Sequence, residues 1–206
     1  PATGYHVSSV TGTCGGTLSG NTFTTSAVTG DCTVVANFAI NTYTVSPSVP
    51  GGNGTLTPST PQTVNYGGTT AFTVTSATGY HVVSVTGCGG SLVGSTYTTG
   101  PISENCTVVA AFAINTYTIT ASSSGNGTIL PSGSVGTTYG SMETLSLTPA
   151  TGYHVSSVTG TCGGTLSGNT FTTSAVTGDC TVVANFAINT YTVTPSVPGG
   201  NGTLTP

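Results

Sequence analysis

The sequence contains no lysine and no arginine, and its only acids are Asp31, Glu104, Glu143 and Asp179. Nucleic-acid binding needs cations that neutralise phosphates, so that class of function is excluded. A polybasic membrane patch is excluded on the same ground. Without lysine, Lys–Asn isopeptide cross-links cannot form, and trypsin has no site to cut. Charged residues make up 2% of the chain, against roughly a quarter in ordinary globular domains. The net charge of −4 is too small to steer a charged partner strongly. Tryptophan is absent, and no apolar run reaches the length of about 18 residues that a membrane-spanning helix requires. No signal peptide is recognisable, and the chain starts at Pro1 inside a repeat, as a window cut from a longer array would.

Low charge alone would fit a disordered chain, but disorder goes with low hydrophobicity. Here 35% of residues are hydrophobic, and Val, Ile, Tyr and Phe alternate with Thr. β-Branched and aromatic residues favour strands. The expectation is a folded all-β chain kept soluble by hydroxyls and amides.

Self-similarity is the strongest signal. Residues 1–58 recur at 149–206 with one difference, Ser46 against Thr194. A more divergent copy lies between them. Thr-Gly-Tyr-His-Val stands at 3–7, 78–82 and 151–155, and Phe-Ala-Ile-Asn-Thr-Tyr-Thr at 38–44, 112–118 and 186–192. A fixed period sets the unit size. The unit has about 74 residues, with complete repeats at 42–115 and 116–189, the back part of a repeat at 1–41 and the front part of another at 190–206.

Within a unit, period-two alternation predicts strands at 42–48, 55–57, 70–75, 80–85 and 106–114. Pro50 to Gly54 reads as a turn with Asn-Gly as a hairpin signal, and Gly94 as the tip of a second hairpin. No segment has helical periodicity. The expected fold is a tandem array of small antiparallel β-sandwich-like units, Ig-like or β-grasp-like. Phe-Ala-Ile-Asn runs directly into Thr-Tyr-Thr with no Gly- or Ser-rich linker, so neighbouring units should be stiffly joined, with the buried face changing near Asn41, Asn115 and Asn189.

The order Tyr-Thr-Val-x-Pro-Ser, Gly-Asn-Gly-Thr-Leu-x-Pro, Thr-Gly-Tyr-His-Val and Cys-Thr-Val-x-Ala-x-Phe resembles the divergent InlB B-repeat family over the whole chain. The resemblance implies bacterial or archaeal surface and secreted proteins in which repeats act as stalk or spacer. Many relatives carry a Trp after the Gly-Tyr strand, where this chain has Val-Thr-Gly-Cys-Gly-Gly.

Each unit holds two cysteines at one constant separation: Cys14 and Cys32, Cys88 and Cys106, Cys162 and Cys180. An even number in a small repeated module points to a disulfide framework, and a core of this size gains from a staple. Pairing within a unit is the expectation, with pairing between units or chains and free thiols as the alternatives. Zinc sites need clustered ligands such as Cys-x-x-Cys, and there are none. Disulfides imply an oxidising compartment, hence an extracellular, secreted or cell-surface location.

Other candidates are weak. His6, His81 and His154 recur because every residue of a repeat recurs, and one His per unit cannot chelate a metal alone. No base–nucleophile constellation is visible, so neither catalysis nor a cofactor is expected. Asn53, Asn105, Asn126 and Asn201 lie in Asn-x-Thr sequons, although Asn-Gly turns explain three of them. The sequence reads as the structural shaft of an extracellular filament or long cell-surface stalk. Its partners would be other copies of the same repeat or chain, without nucleic acid or membrane insertion. The alternative is the ligand-binding repeat region of a bacterial adhesin, with glycans or host-surface ligands as partners.

Overall fold

The computed structural model describes residues 1–196, 198–200 and 202–203. The Asn-Gly turn at Asn201 and the end of the 190–206 segment lie outside them. The described residues form strands and no helix, so the chain is all-β. Contacts divide it into two units, 1–113 and 114–206.

In the first unit, residues 1–41 form β1 (Tyr5–Gly12), β2 (Gly16–Ser19), β3 (Thr22–Thr25) and β4 (Val34–Ile40). There β1 pairs antiparallel with β4, and β2 with β3. The first complete repeat follows as β5 (Thr42–Ser48), β6 (Gly54–Thr57), β7 (Gln62–Asn65), β8 (Ala71–Ser76), β9 (Tyr80–Thr86), β10 (Ser91–Val93), β11 (Thr96–Thr98) and β12 (Cys106–Ile114). These strands make two four-stranded sheets, in the orders β7-β5-β12-β9 and β10-β11-β8-β6.

The second complete repeat comprises β13 (Thr116–Ser123), β14 (Gly127–Leu130), β15 (Gly133–Thr138), β16 (Thr144–Pro149), β17 (Tyr153–Thr159), β18 (Gly164–Ser167), β19 (Thr170–Thr173) and β20 (Cys180–Ile188). Its sheets run β15-β13-β20-β17 and β14-β16-β19-β18.

The core of each repeat lies between its two sheets. In the first repeat Val45, Val64, Val108 and Ala110 come from one sheet, and Leu56, Phe72, Val74 and Tyr97 from the other. Period two explains the choice, since alternate residues of a strand face the same way. Phe72 is fully buried, and truncating it to Ala would cost about 3–5 kcal/mol. Ile119, Ala121, Leu145, Leu147, Phe171, Val182 and Ala184 do the same work in the second repeat. Core positions fall on even numbers in β12 and on odd numbers in β13, so the buried face changes parity across Asn115.

Two features differ from the sequence expectation. Asn53-Gly54 makes a turn, with Asn53 at φ 64°, but not a hairpin. The strands on either side go to opposite sheets, because β6 pairs with β8 (Leu56 opposite Val74) and so brings Leu56 into the core. Every connection in the repeat crosses between sheets except β10 to β11. The second difference is that β5 and β12, first and last in the repeat, lie side by side and parallel, with Val45 opposite Cys106.

Apolar side chains of residues 1–41 are less covered. Phe38 is 53% exposed and its counterpart Phe186 is 9% exposed. In the complete repeat Phe186 packs on Gly127 at the start of β14, an element that residues 1–41 do not include.

Candidate functional site: the disulfide crossover and the strand junction

The three cysteine pairs are joined within their units: Cys14–Cys32, Cys88–Cys106 and Cys162–Cys180, with Cα atoms 4.8, 5.5 and 4.9 Å apart. Cys88 follows β9 and Cys106 opens β12, its neighbour in the sheet. Between them the chain leaves for the opposite sheet, forms the β10–β11 hairpin and returns. The disulfide closes the base of that excursion.

The crossover is built in two ways. Residues 1–41 and the second complete repeat carry an extra residue, Thr13 or Thr161, before the first cysteine. Thr13 and Thr33 exchange backbone and hydroxyl hydrogen bonds: the Thr33 N–H donates to Thr13 Oγ1 at 3.0 Å, and the Thr13 N–H to the Thr33 carbonyl at 3.0 Å. Thr161 and Thr181 repeat this arrangement. The first complete repeat lacks the threonine, and Cys88 spans the shorter link at φ 50°, a conformation uncommon outside glycine. It also carries Tyr97 where the other units have Phe23 and Phe171. The buried Tyr97 hydroxyl donates to the Gly87 carbonyl at 2.6 Å.

The second constellation is the junction between residues 1–41 and the first complete repeat. A single residue, Asn41, separates β4 from β5. Its N–H donates to the Gly4 carbonyl, and its own carbonyl accepts from the Tyr66 N–H, each at 2.8 Å. Its side-chain oxygen lies 2.9 Å from His6 Nδ1. The Tyr66 ring covers Gly4, where a Cβ would fall 2.2 Å from Tyr66 Cδ1. In the second unit the Asn189 N–H donates to the Gly152 carbonyl at 2.8 Å, and Asn189 Oδ1 meets His154 Nδ1 at 3.0 Å. His6 and His154 thus position an asparagine beside the strand end. No group of three His, Cys, Asp or Glu among the described residues could hold a metal ion.

A third contact orders the parallel strands. The Thr44 N–H donates to Asn105 Oδ1 at 2.8 Å, and the Thr118 N–H to Asp179 Oδ1 at 2.8 Å. Asn and Asp alternate here because only an acceptor oxygen is needed. Sequence reasoning saw Asn105 only as a sequon. Its offset of one residue before the second cysteine, shared with Asp31 and Asp179, was the available signal.

Disulfide-closed crossovers, strand junctions one residue long and two-sheet cores in tandem define a repeat scaffold. The chain belongs to the divergent InlB B-repeat domain family, which matches residues 1–42, 43–116 and 117–190. This is a family of tandem repeat domains. No curated protein matches the chain. A solved structure, the Bacillus anthracis TIE protein, is similar over 75% of this chain and 37% of that one, at 12% identity and a TM-score of 0.30. That likeness is too distant to carry an argument.

Proposed function

We propose that these repeats form the shaft of an extracellular filament or long cell-surface stalk. The observation that carries this reading is the junction at Asn41. One residue, held by backbone and side-chain hydrogen bonds to Gly4, Tyr66 and His6, replaces the flexible linker of a beads-on-a-string protein. A junction with few rotatable bonds passes orientation from one repeat to the next. The disulfides support an oxidising, extracellular setting, since no cysteine is left free. A surface nearly without charge offers no cluster for acid–base catalysis, which supports a scaffold in preference to an enzyme. Other copies of the repeat or chain are the partners in this reading.

Electron microscopy of the secreted full-length protein tests it. Uniform rods whose length scales with repeat number are expected. Compact particles, or chains bending freely between repeats, would refute the shaft.

A further inference from the structure

Each complete repeat receives the chain on its first strand and releases it on its last, β5 then β12, and β13 then β20. In both repeats these two strands are neighbours and run parallel. Tension along the chain therefore draws the start of β5 and the end of β12 in opposite directions, along the strand axes. The hydrogen bonds between parallel strands lie across that direction, evenly spaced. They are strained together instead of being opened singly from one end. We infer that the parallel pair is a shear clamp against tension, and that the repeat at 42–115 yields before the repeat at 116–189. The clamp takes its biological sense from the shaft reading, but its physics belongs to the single repeat.

Two prolines set the ranking. The β13–β20 register runs from Ile119–Cys180 to Ser123–Ala184, and the Ser124 N–H extends it by donating to the Ala184 carbonyl at 3.0 Å. The β5–β12 register runs only from Val45–Cys106 to Ser48–Val109. Pro50 occupies the position of Ser124 and has no N–H to donate. Amides of a strand alternate in direction. The Thr44 N–H points to Asn105, beside β12, so the even-numbered amides of β5 face β12 and the odd-numbered ones face β7. Pro47, where the second repeat has Ala121, removes a donor toward β7. Accordingly β5–β7 pairing stops at Val45–Gln62, while β13–β15 pairing continues to Ala121–Gly133. The first repeat is thus held less on both sides of its entry strand.

After rupture the disulfide limits how much chain is released. The 18-residue span from Cys88 to Cys106 stays closed. At roughly 3.4 Å per extended residue, unfolding an oxidised repeat should release about 60 Å less chain than unfolding the reduced one.

Single-molecule force spectroscopy of the whole chain, held at its two ends, tests the inference. Two rupture events of unequal force are expected, each lengthening by about 60 Å in reductant. Ser124→Pro should bring the higher force down toward the lower, and Pro50→Ser should raise the lower. Both positions are exposed, and a thermal melt checks that the variants fold. With the wild-type chain held instead at its N-terminus and at exposed Thr69, just past β7, β5 should peel from its antiparallel neighbour at a force lower by about twofold or more, because the bonds then break singly. Equal forces in the two pulling geometries overturn the clamp. Two indistinguishable events, unmoved by either substitution, overturn the ranking. Neither result concerns the shape of the protein, which microscopy decides, so clamp and shaft can fail separately.

Discussion

The Tyr97 hydroxyl donates to the Gly87 carbonyl at 2.6 Å, from a ring that is 1% exposed. Gly87 itself is exposed, so without the hydroxyl its carbonyl can turn to water and the loss is that of one hydrogen bond. Tyr97→Phe should therefore destabilise the first complete repeat by about 0.5–1.5 kcal/mol. Urea denaturation followed by a probe in that repeat measures this. An unchanged midpoint would mean that water replaces the hydroxyl.

Opening one disulfide should act chiefly on the unfolded chain. Replacing both Cys88 and Cys106 with alanine removes a closed loop of 18 residues and should cost about 3 kcal/mol in the chain-entropy account. Denaturant titrations of the variant and the parent give the difference. A non-reducing peptide map, made with a protease other than trypsin, should return only the three pairs within units. Pairs between units would contradict the crossover geometry.

Gly4 is under two constraints at once. Its φ is +81°, and an added Cβ would collide with the Tyr66 ring. Gly4→Ala should therefore loosen the junction and speed hydrogen exchange at the Tyr66 amide, which donates to Asn41. Gly20→Ala is the control: φ is +58°, but nothing lies within 4 Å of the added carbon. Its strain is local and should leave the Tyr66 amide protected. Equal effects from the two variants would show that Tyr66 does not clamp the junction.

With no lysine or arginine, the fold cannot rest on ordinary ion pairs. Stability should change by less than about 0.5 kcal/mol between low and moderate sodium chloride, since surface pairs are the main salt-sensitive contacts. Thermal melts across a salt series check this. A steep dependence would reveal bound ions that the side chains do not suggest.

Much of the fold was legible because alternation is a local property. Cys106, Val108, Ala110, Phe112 and Ile114 mark one face of β12 without reference to anything distant, and Thr42–Ser48 reads the same way. Gln62–Asn65 was missed because Val64 is the only apolar residue in β7, and one residue makes no period. The parallel partnership of Val45 and Cys106 was also invisible, since no local pattern records which strand a strand will meet. Asn53-Gly54 specified its backbone conformation but not its destination, because the same turn serves a hairpin or a change of sheet. The recurrence of His6, His81 and His154 was plain from the repeat. Their hydrogen bonds to Asn41 and Asn189 needed coordinates, because the partners lie 35 residues away.

The weaving of the chain between its two sheets has a consequence for synthesis. Within 42–115 only β10 and β11 are consecutive strands of one sheet, so no early stretch of a repeat can complete a sheet by itself. The last strand, β12, is inserted between β5 and β9, and until it emerges those two have no common neighbour. A nascent or translocating chain must therefore keep almost a whole repeat waiting, with Val45 and Phe72 uncovered, before closure can occur. Such long-range pairing folds slowly and leaves apolar surface open to wrong partners in the interval. Few charges stand ready to repel those partners, so the time spent waiting for each β12 is when this protein is most exposed to aggregation.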